Sequence, residues 1–180
     1  MSLPNRRAAK IFKYAVTYGA QPPTLAKQLS CSKLQAEDWF NAFWEINVGL
    51  RELRDETVRE WKFYGEKRIV GLDGRLISTR SEHSLINAKF QSGGAILMKH
   101  ACLIADRTIR EYAYQYGLKA EGLIRMHDEE QWEANTTNPV HLKHIGELGV
   151  KSIEQAAKYL KLNVPVTGKY KIGENWAETH

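Results

Sequence analysis

The first third of the chain carries its apolar residues at helical spacing. Leu25, Leu29, Leu34, Trp39, Phe40, Phe43, Trp44, Ile46, Leu50 and Leu53 predict helices over 24–29 and from Ser32 through Leu53 and beyond, after a turn forced by Gln21-Pro22-Pro23. Ahead of them, residues from about Asn5 to Thr17 are good helix formers, bounded by Pro4 at the start and Gly19 just past the end. These segments are expected to pack as a small helical lobe. The periodicity then changes. Arg68 to Ile77 places Asp73-Gly74 between short apolar runs, a strong local signal for a β-hairpin. From about Glu82 to Tyr116, Leu85, Ile86, Phe90, Ile96, Leu97, Ala101, Leu103, Ile104, Ile109 and Tyr112 predict a long helix, open to interruption at Gly93-Gly94. Leu123 to Met126 and Gln131 to Ala134 read as two strands around the tripeptide His127-Asp128-Glu129. A loop over Asn135 to Pro139 leads to a helix over Val140 to Leu162, and Val164 to Ile172 reads as extended chain. The fold class is therefore α+β: a helical lobe over about 1–66, then a lobe over 67–180 with long helices and short antiparallel strands.

Composition supports a folded chain. With 180 residues, of which 43% are hydrophobic and 10% aromatic, it can bury a core of one domain or two small lobes. No stretch approaches the roughly 18 consecutive apolar residues of a membrane span, and no apolar run with a cleavage site follows Arg6, Arg7 and Lys10. Cys31 and Cys102 lie far apart, without the spacing of a zinc site or a disulfide framework. The expectation is a soluble, unsecreted protein of a reducing cytoplasm, without a membrane partner. The net charge is +5, and no acidic residue precedes Glu37, whereas Arg6, Arg7, Lys10, Lys13, Lys27 and Lys33 do. Such a one-signed region either attracts a polyanion or is a solvated helix face.

Two constellations carry candidate chemistry. Steps of four residues advance about 400° around an α-helix, so Arg6, Lys10, Tyr14 and Tyr18 share one face. Arg6 offers a planar fork to phosphate oxygens, Lys10 a mobile point charge, and both lie near a helix N-terminus whose dipole favours anions. The tyrosines offer flat surfaces to a base or sugar. The plainer reading is an amphipathic helix with solvated cations and tyrosines at an edge. Asp128-Glu129, held at a strand reversal, suits a hard divalent cation that takes oxygen ligands, although acidic residues are also common at turns because they bond the local backbone. His127 has no second His or Cys at zinc-ligand spacing.

The run Arg6-Arg7-Ala8-Ala9-Lys10-Ile11-Phe12-Lys13-Tyr14-Ala15-Val16-Thr17-Tyr18-Gly19 resembles the motif B helix of family A DNA polymerases, and His127-Asp128-Glu129 resembles their motif C. Between them, Asn87-Ala88-Lys89-Phe90-Gln91-Ser92-Gly93-Gly94-Ala95 is similar to the family's segment with Asn and Gln four apart. Gly173-Glu174-Asn175-Trp176 to His180 is similar to its C-terminal ending, and the hairpin at 71–75 and Arg80-Ser81-Glu82-His83 are similar to the phage branch. The resemblance implies fingers over 1–66 and the second part of the palm over 67–180. It implies that Arg6 and Lys10 bind the triphosphate of an incoming dNTP, that Tyr14 lies beside its sugar and tolerates a missing 3′-hydroxyl, and that Tyr18 shapes the templating pocket. His83, Asn87 and Gln91, four apart on a helix, would line the minor groove of a DNA primer-template near the primer terminus, and His127 would support the turn and join the DNA-binding residues. Asp128 would coordinate magnesium with Glu129 nearby, making Asp128, Glu129 and Lys10 the catalytic group. The family takes its other metal-binding Asp from motif A, an Asp-Tyr-Ser-type segment ahead of the motif B helix, and no such segment occurs here. The resemblance thus implies the C-terminal part of a polymerase, a fragment or split-gene product that is inactive alone. It would need a polypeptide carrying thumb and motif A, would work in the cytoplasm of a bacterial or phage-infected cell, and would be open to self-association. The alternative is a non-catalytic DNA- or nucleotide-binding module.

Overall fold

Asn5 opens the first helix: its side chain accepts a hydrogen bond from the Ala8 N–H at 2.8 Å, satisfying a donor that the first turn would otherwise leave unpaired. The computed structural model describes residues 5–179; Pro4 and His180 lie outside that range. Helix α1 (Arg6–Thr17) is followed by α2 (Pro22–Leu29), α3 (Lys33–Ile46) and α4 (Val48–Phe63). An antiparallel hairpin of β1 (Arg68–Val70) and β2 (Leu76–Ser78) comes next, then a 3-10 turn (Glu82–Ser84) and α5 (Leu85–Gln115). A second hairpin, β3 (Ala120–Met126) and β4 (Glu129–Ala134), precedes α6 (Pro139–Tyr159) and a short α7 (Trp176–Thr179). The architecture is α+β, as expected. Among the described residues no helix is long and apolar enough to cross a membrane.

The chain divides into two compact units, one up to Ser92 and one from Gly93, so the division falls inside α5. In the first unit, Phe12 and Val16 of α1 are buried with Leu25, Ala36, Trp39 and Trp44. Phe12 meets Trp39 and Phe43 edge to face, with centroids 6.4 and 5.9 Å apart, an arrangement aromatic quadrupoles favour. A second cluster, Trp61, Ile69 and Leu85, joins α4, β1 and the start of α5. Beside it Glu60 accepts bonds from the Val70 N–H at 3.0 Å and from Lys89 Nζ at 3.3 Å. In the second unit, Ala105, Ile109 and Ala113 of α5 pack with Ala120 of β3 and Ile145 of α6.

Three expectations differ from the structure. The helix expected from Ser32 through Leu53 is interrupted at Asn47, whose side chain donates back to the Phe43 carbonyl at 2.8 Å and competes with helical pairing. Gly93-Gly94 does not break α5. Each glycine costs about 1 kcal/mol relative to alanine, but α5 runs from Leu85 to Gln115 with buried Ile96, Ala101, Ala105 and Ile109 along it, so packing outweighs that cost. The chain over 163–175 has no strand partner among the described residues; it is irregular and ends in α7, which the apolar pattern did not predict.

Because Phe12 is 4% exposed at the centre of the first core, Phe12→Ala is expected to destabilise this unit by about 3–5 kcal/mol. The readout is a lower urea midpoint followed by tryptophan fluorescence. Ile11→Ala, one residue away on the exposed side, should shift stability by no more than about 0.5 kcal/mol.

Candidate functional site

With Phe12 and Val16 facing the core, the helical pitch turns Arg6, Lys10, Tyr14 and Tyr18 to the exposed side. Tyr14 and Tyr18 are 52% and 44% exposed, and their ring centroids lie 6.0 Å apart at 43°. Lys10 Nζ stands 5.9 Å from the Tyr14 centroid, within cation–π range. Among the described residues no carboxylate lies within ion-pair distance of Arg6 or Lys10. The stripe therefore combines two cations available to an external anion with two available ring faces.

The end of the stripe has a second neighbour. Gly19 has φ +92°, in the left-handed region, and a Cβ there would overlap the His83 carbonyl. The turn after α1 thus lies directly on the 3-10 turn, a close approach only glycine allows. Sequence punctuation flagged Gly19 as a helix stop and missed this contact. His83 sits on the 3-10 turn rather than on a helix with Asn87 and Gln91, because α5 begins only at Leu85. His83 and Gln91 are exposed; Asn87 is half-buried, and its Oδ1 is one of six buried polar side-chain atoms that have no protein partner among the described residues.

In the second unit, β3 and β4 close through a two-residue turn, with Met126 paired to Glu129 and His127 at φ +53°. Histidine is among the residues that tolerate this region best. His127 and Asp128 are exposed at the tip and Glu129, the first residue of β4, is half-buried. Alternation along β4 puts Glu129 and Gln131 on one face and Glu130 on the other. The Gln131 amide donates to the Glu129 carboxylate. Glu130 lies opposite Arg125, which binds it at 3.0 Å and also reaches Asp106 at 3.6 Å. Three consecutive acids are thus distinct: Asp128 projects, Glu129 is held by an amide, and Glu130 is neutralised. The sequence reading missed Glu130's pairing and Gln131; register, which sets both, is a signal that strand alternation carries only once the turn is fixed.

The tip offers hard carboxylate oxygens of the kind magnesium takes. Among the described residues no group of three or more His, Cys, Asp or Glu could hold an ion, so the donors present fit part of a coordination set and not a complete one.

Behind the hairpin, burial of Cys102 in α5 and the neighbouring Glu130 carboxylate push its thiol up from 9.0 to about 11, with Arg125 opposing. The thiol is held protonated, so between pH 9 and 11 the native state keeps a proton that the unfolded chain releases, and stability falls as pH rises through that window. At pH 8 iodoacetamide should alkylate Cys102 about 100-fold more slowly than the same cysteine in the urea-unfolded chain, measured by mass spectrometry.

A sequence model of DNA polymerase family A matches residues 1–178. The chain is 29% identical to a DNA-directed DNA polymerase of Escherichia phage Phieco32, an alignment covering 99% of this chain and 28% of that protein. It is 26% identical to a DNA polymerase I of Streptococcus pneumoniae, covering 97% of this chain and 20% of the relative. With the DNA-directed DNA polymerase of Escherichia phage T7 it shares 24% identity, covering 99% and 27%. The chain thus spans between 20% and 28% of the length of these relatives. In fold it is similar to the POL domain of Pol1 from M. smegmatis, solved with DNA primer-template and dNTP, at a TM-score of 0.69 and 20% identity, over 84% of this chain and 27% of that one. A match along nearly the whole chain, from the cationic stripe of α1 past the acidic hairpin, places it: the chain belongs to DNA polymerase family A.

Proposed function

We propose that the chain forms part of a template-directed DNA polymerase, holding the incoming dNTP through α1 and supplying motif C carboxylates for phosphoryl transfer in DNA replication. The observation that carries this reading is the outward stripe of α1, with two cations that have no carboxylate at ion-pair distance among the described residues and two neighbouring tyrosine rings. In this reading Arg6 grips triphosphate oxygens bidentately, Lys10 neutralises charge that develops on the leaving pyrophosphate, and Tyr14 and Tyr18 bracket the sugar and base. The two lobes take the family roles of fingers over 1–66 and palm over 67–180.

Primer-template is bound by His83, Asn87, Gln91 and His127. Minor-groove acceptors lie at similar places on all base pairs, so donors there sense pairing geometry without reading sequence. Asn87 and Gln91 each carry an amide NH2 that can donate to such an acceptor.

Mg2+ would supply Lewis acidity at the primer hydroxyl and at the leaving oxygen. Asp128 is the residue to hold it, with Glu129 beside it and His127 shaping the turn. Two-metal transfer needs carboxylates from two places, and the hairpin tip is one place. The reading therefore requires a second acid from a polypeptide segment carrying thumb and motif A. Exposed apolar side chains such as Phe63 and Tyr114, 82% and 89% exposed, support cover by such a segment or by a second copy.

The test mixes the chain with a polypeptide that carries thumb and motif A and follows primer extension. Extension is expected to require both parts and to vanish with Asp128→Ala. Lys10→Ala removes a charge-assisted contact of about 1.5–3 kcal/mol, so kcat/KM for dNTP should fall at least about tenfold while primer-template Kd changes less than about twofold. Extension unchanged by Asp128→Ala would contradict the catalytic role. DNA and dNTP binding without extension in any mixture would favour the binding module instead.

A further inference from the structure

We infer that Gln131 and Thr179 are positioning residues for the Glu129 carboxylate, so that docking of the C-terminal helix α7 sets the orientation of the acid beside Asp128. The inference rests on the motif C role proposed above and adds a control that lies at the other end of the unit's sequence.

A glutamine amide has a donating end and an accepting end, and in this structure both are used. Gln131 Nε2 donates to the Glu129 carboxylate, and Gln131 Oε1 accepts from Thr179 Oγ1 at 3.2 Å. The bond to Glu129 fixes the amide's sense, because a flip would set its oxygen against a carboxylate that can only accept. The Thr179 hydroxyl, able to donate or accept, holds the far end of the amide in place. An unanchored glutamine loses on the order of 1–2 kcal/mol of rotamer freedom when it holds one geometry. Thr179 shares in fixing it, so the Glu129 side chain rests on a group whose position α7 helps to hold. Thr179 also places its hydroxyl 3.2 Å from the Trp176 carbonyl, which keeps the proton between two acceptors.

Thr179 is itself located by a series of contacts. Glu178 folds back on the turn before α7, accepting from the Glu174 N–H at 2.9 Å and from Asn175 Nδ2 at 2.8 Å. Upstream, the irregular segment is pinned to α6 at separate points. Tyr170 covers Gly146, where any Cβ would overlap the ring; Ile153 fills the space a side chain at Gly168 would need; and Thr167 Oγ1 donates to Glu154 at 3.0 Å. A stretch without secondary structure thereby delivers one hydroxyl to one amide. Partners that orient a metal-binding side chain are part of its affinity as well as its geometry.

The test uses the whole chain, with Mn2+ alone as probe by electron paramagnetic resonance and the Gln131 side-chain amide followed by NMR. Asp128→Asn should abolish most Mn2+ binding. Thr179→Val and Gln131→Leu should weaken it by about threefold or more, whereas Thr179→Ser, which keeps the hydroxyl but not the methyl, should bind as the parent does. A role in packing alone predicts the opposite order, since Val preserves shape and Ser does not. The Gln131 amide resonances should move in both Thr179→Val and Glu129→Gln while backbone signals away from β4 and α7 stay in place. If Asp128→Asn loses Mn2+ but Thr179→Val and Gln131→Leu do not, the positioning role is overturned and the motif C reading stands. If Mn2+ binding ignores Asp128, the metal reading falls, and the amide resonances alone decide the relay: moved, it holds; unmoved in both variants, it is overturned.

Discussion

Burial of one side of α1 decides what its other side can do. Phe12 and Val16 lie in a cluster with Trp39 and Trp44, and Phe12 is met edge-on by Trp39 and Phe43, so the helix cannot rotate without exposing that aromatic contact. The pitch then leaves Arg6, Lys10, Tyr14 and Tyr18 outside, in line. Apolar packing is thus the device that aims the polar chemistry. The same logic explains Gly19: ending the helix in a left-handed residue without a side chain lets the turn rest on the His83 backbone, which adds the 3-10 turn and the start of α5 to the surface next to the stripe.

The second unit uses strand alternation for a comparable purpose. Glu130 points to Cys102 and to Arg125, which compensates its charge and also reaches Asp106, and its neighbours on either side point away from that network. A tight turn then lifts Asp128 clear. Carboxylates that must repel one another are separated by period two, and the one left at the tip has the hard oxygens a divalent cation takes. Function at this hairpin depends on register; a slip of one residue would exchange Glu130 for Glu129 at the inner network and bring Gln131 to the wrong face.

The sequence was most legible where order is local. Helix periodicity, Gly19 just past the end of α1, the Asp73-Gly74 hairpin and the reversal at His127-Asp128 all arise within a few residues, and the structure has each of them. What escaped was set by single side-chain bonds and by packing contacts that the apolar pattern does not encode. Asn47 interrupts a helix whose apolar pattern runs straight through it, because a single side chain bonds back to Phe43. Gly93-Gly94 leaves an interruption open in the sequence and makes none in the structure, since buried neighbours hold α5 together. Glycines 146 and 168 carry no local signal at all; their meaning lies in Tyr170 and Ile153, which approach from elsewhere in the chain. Of the site, the residue types and spacings on α1 and at the hairpin were readable, whereas His83's place on a 3-10 turn, the orphan oxygen of Asn87 and the Gln131–Thr179 link were not.

The central claim is that the outward stripe of α1 holds the tail of a nucleotide. Titrating a dNTP into the isotope-labelled chain and following side-chain NMR signals tests it most directly. Arg6, Lys10, Tyr14 and Tyr18 are predicted to shift together along one binding curve, and Lys10→Ala to flatten that curve for all of them. Saturable shifts elsewhere, with these four residues unmoved, would contradict the account.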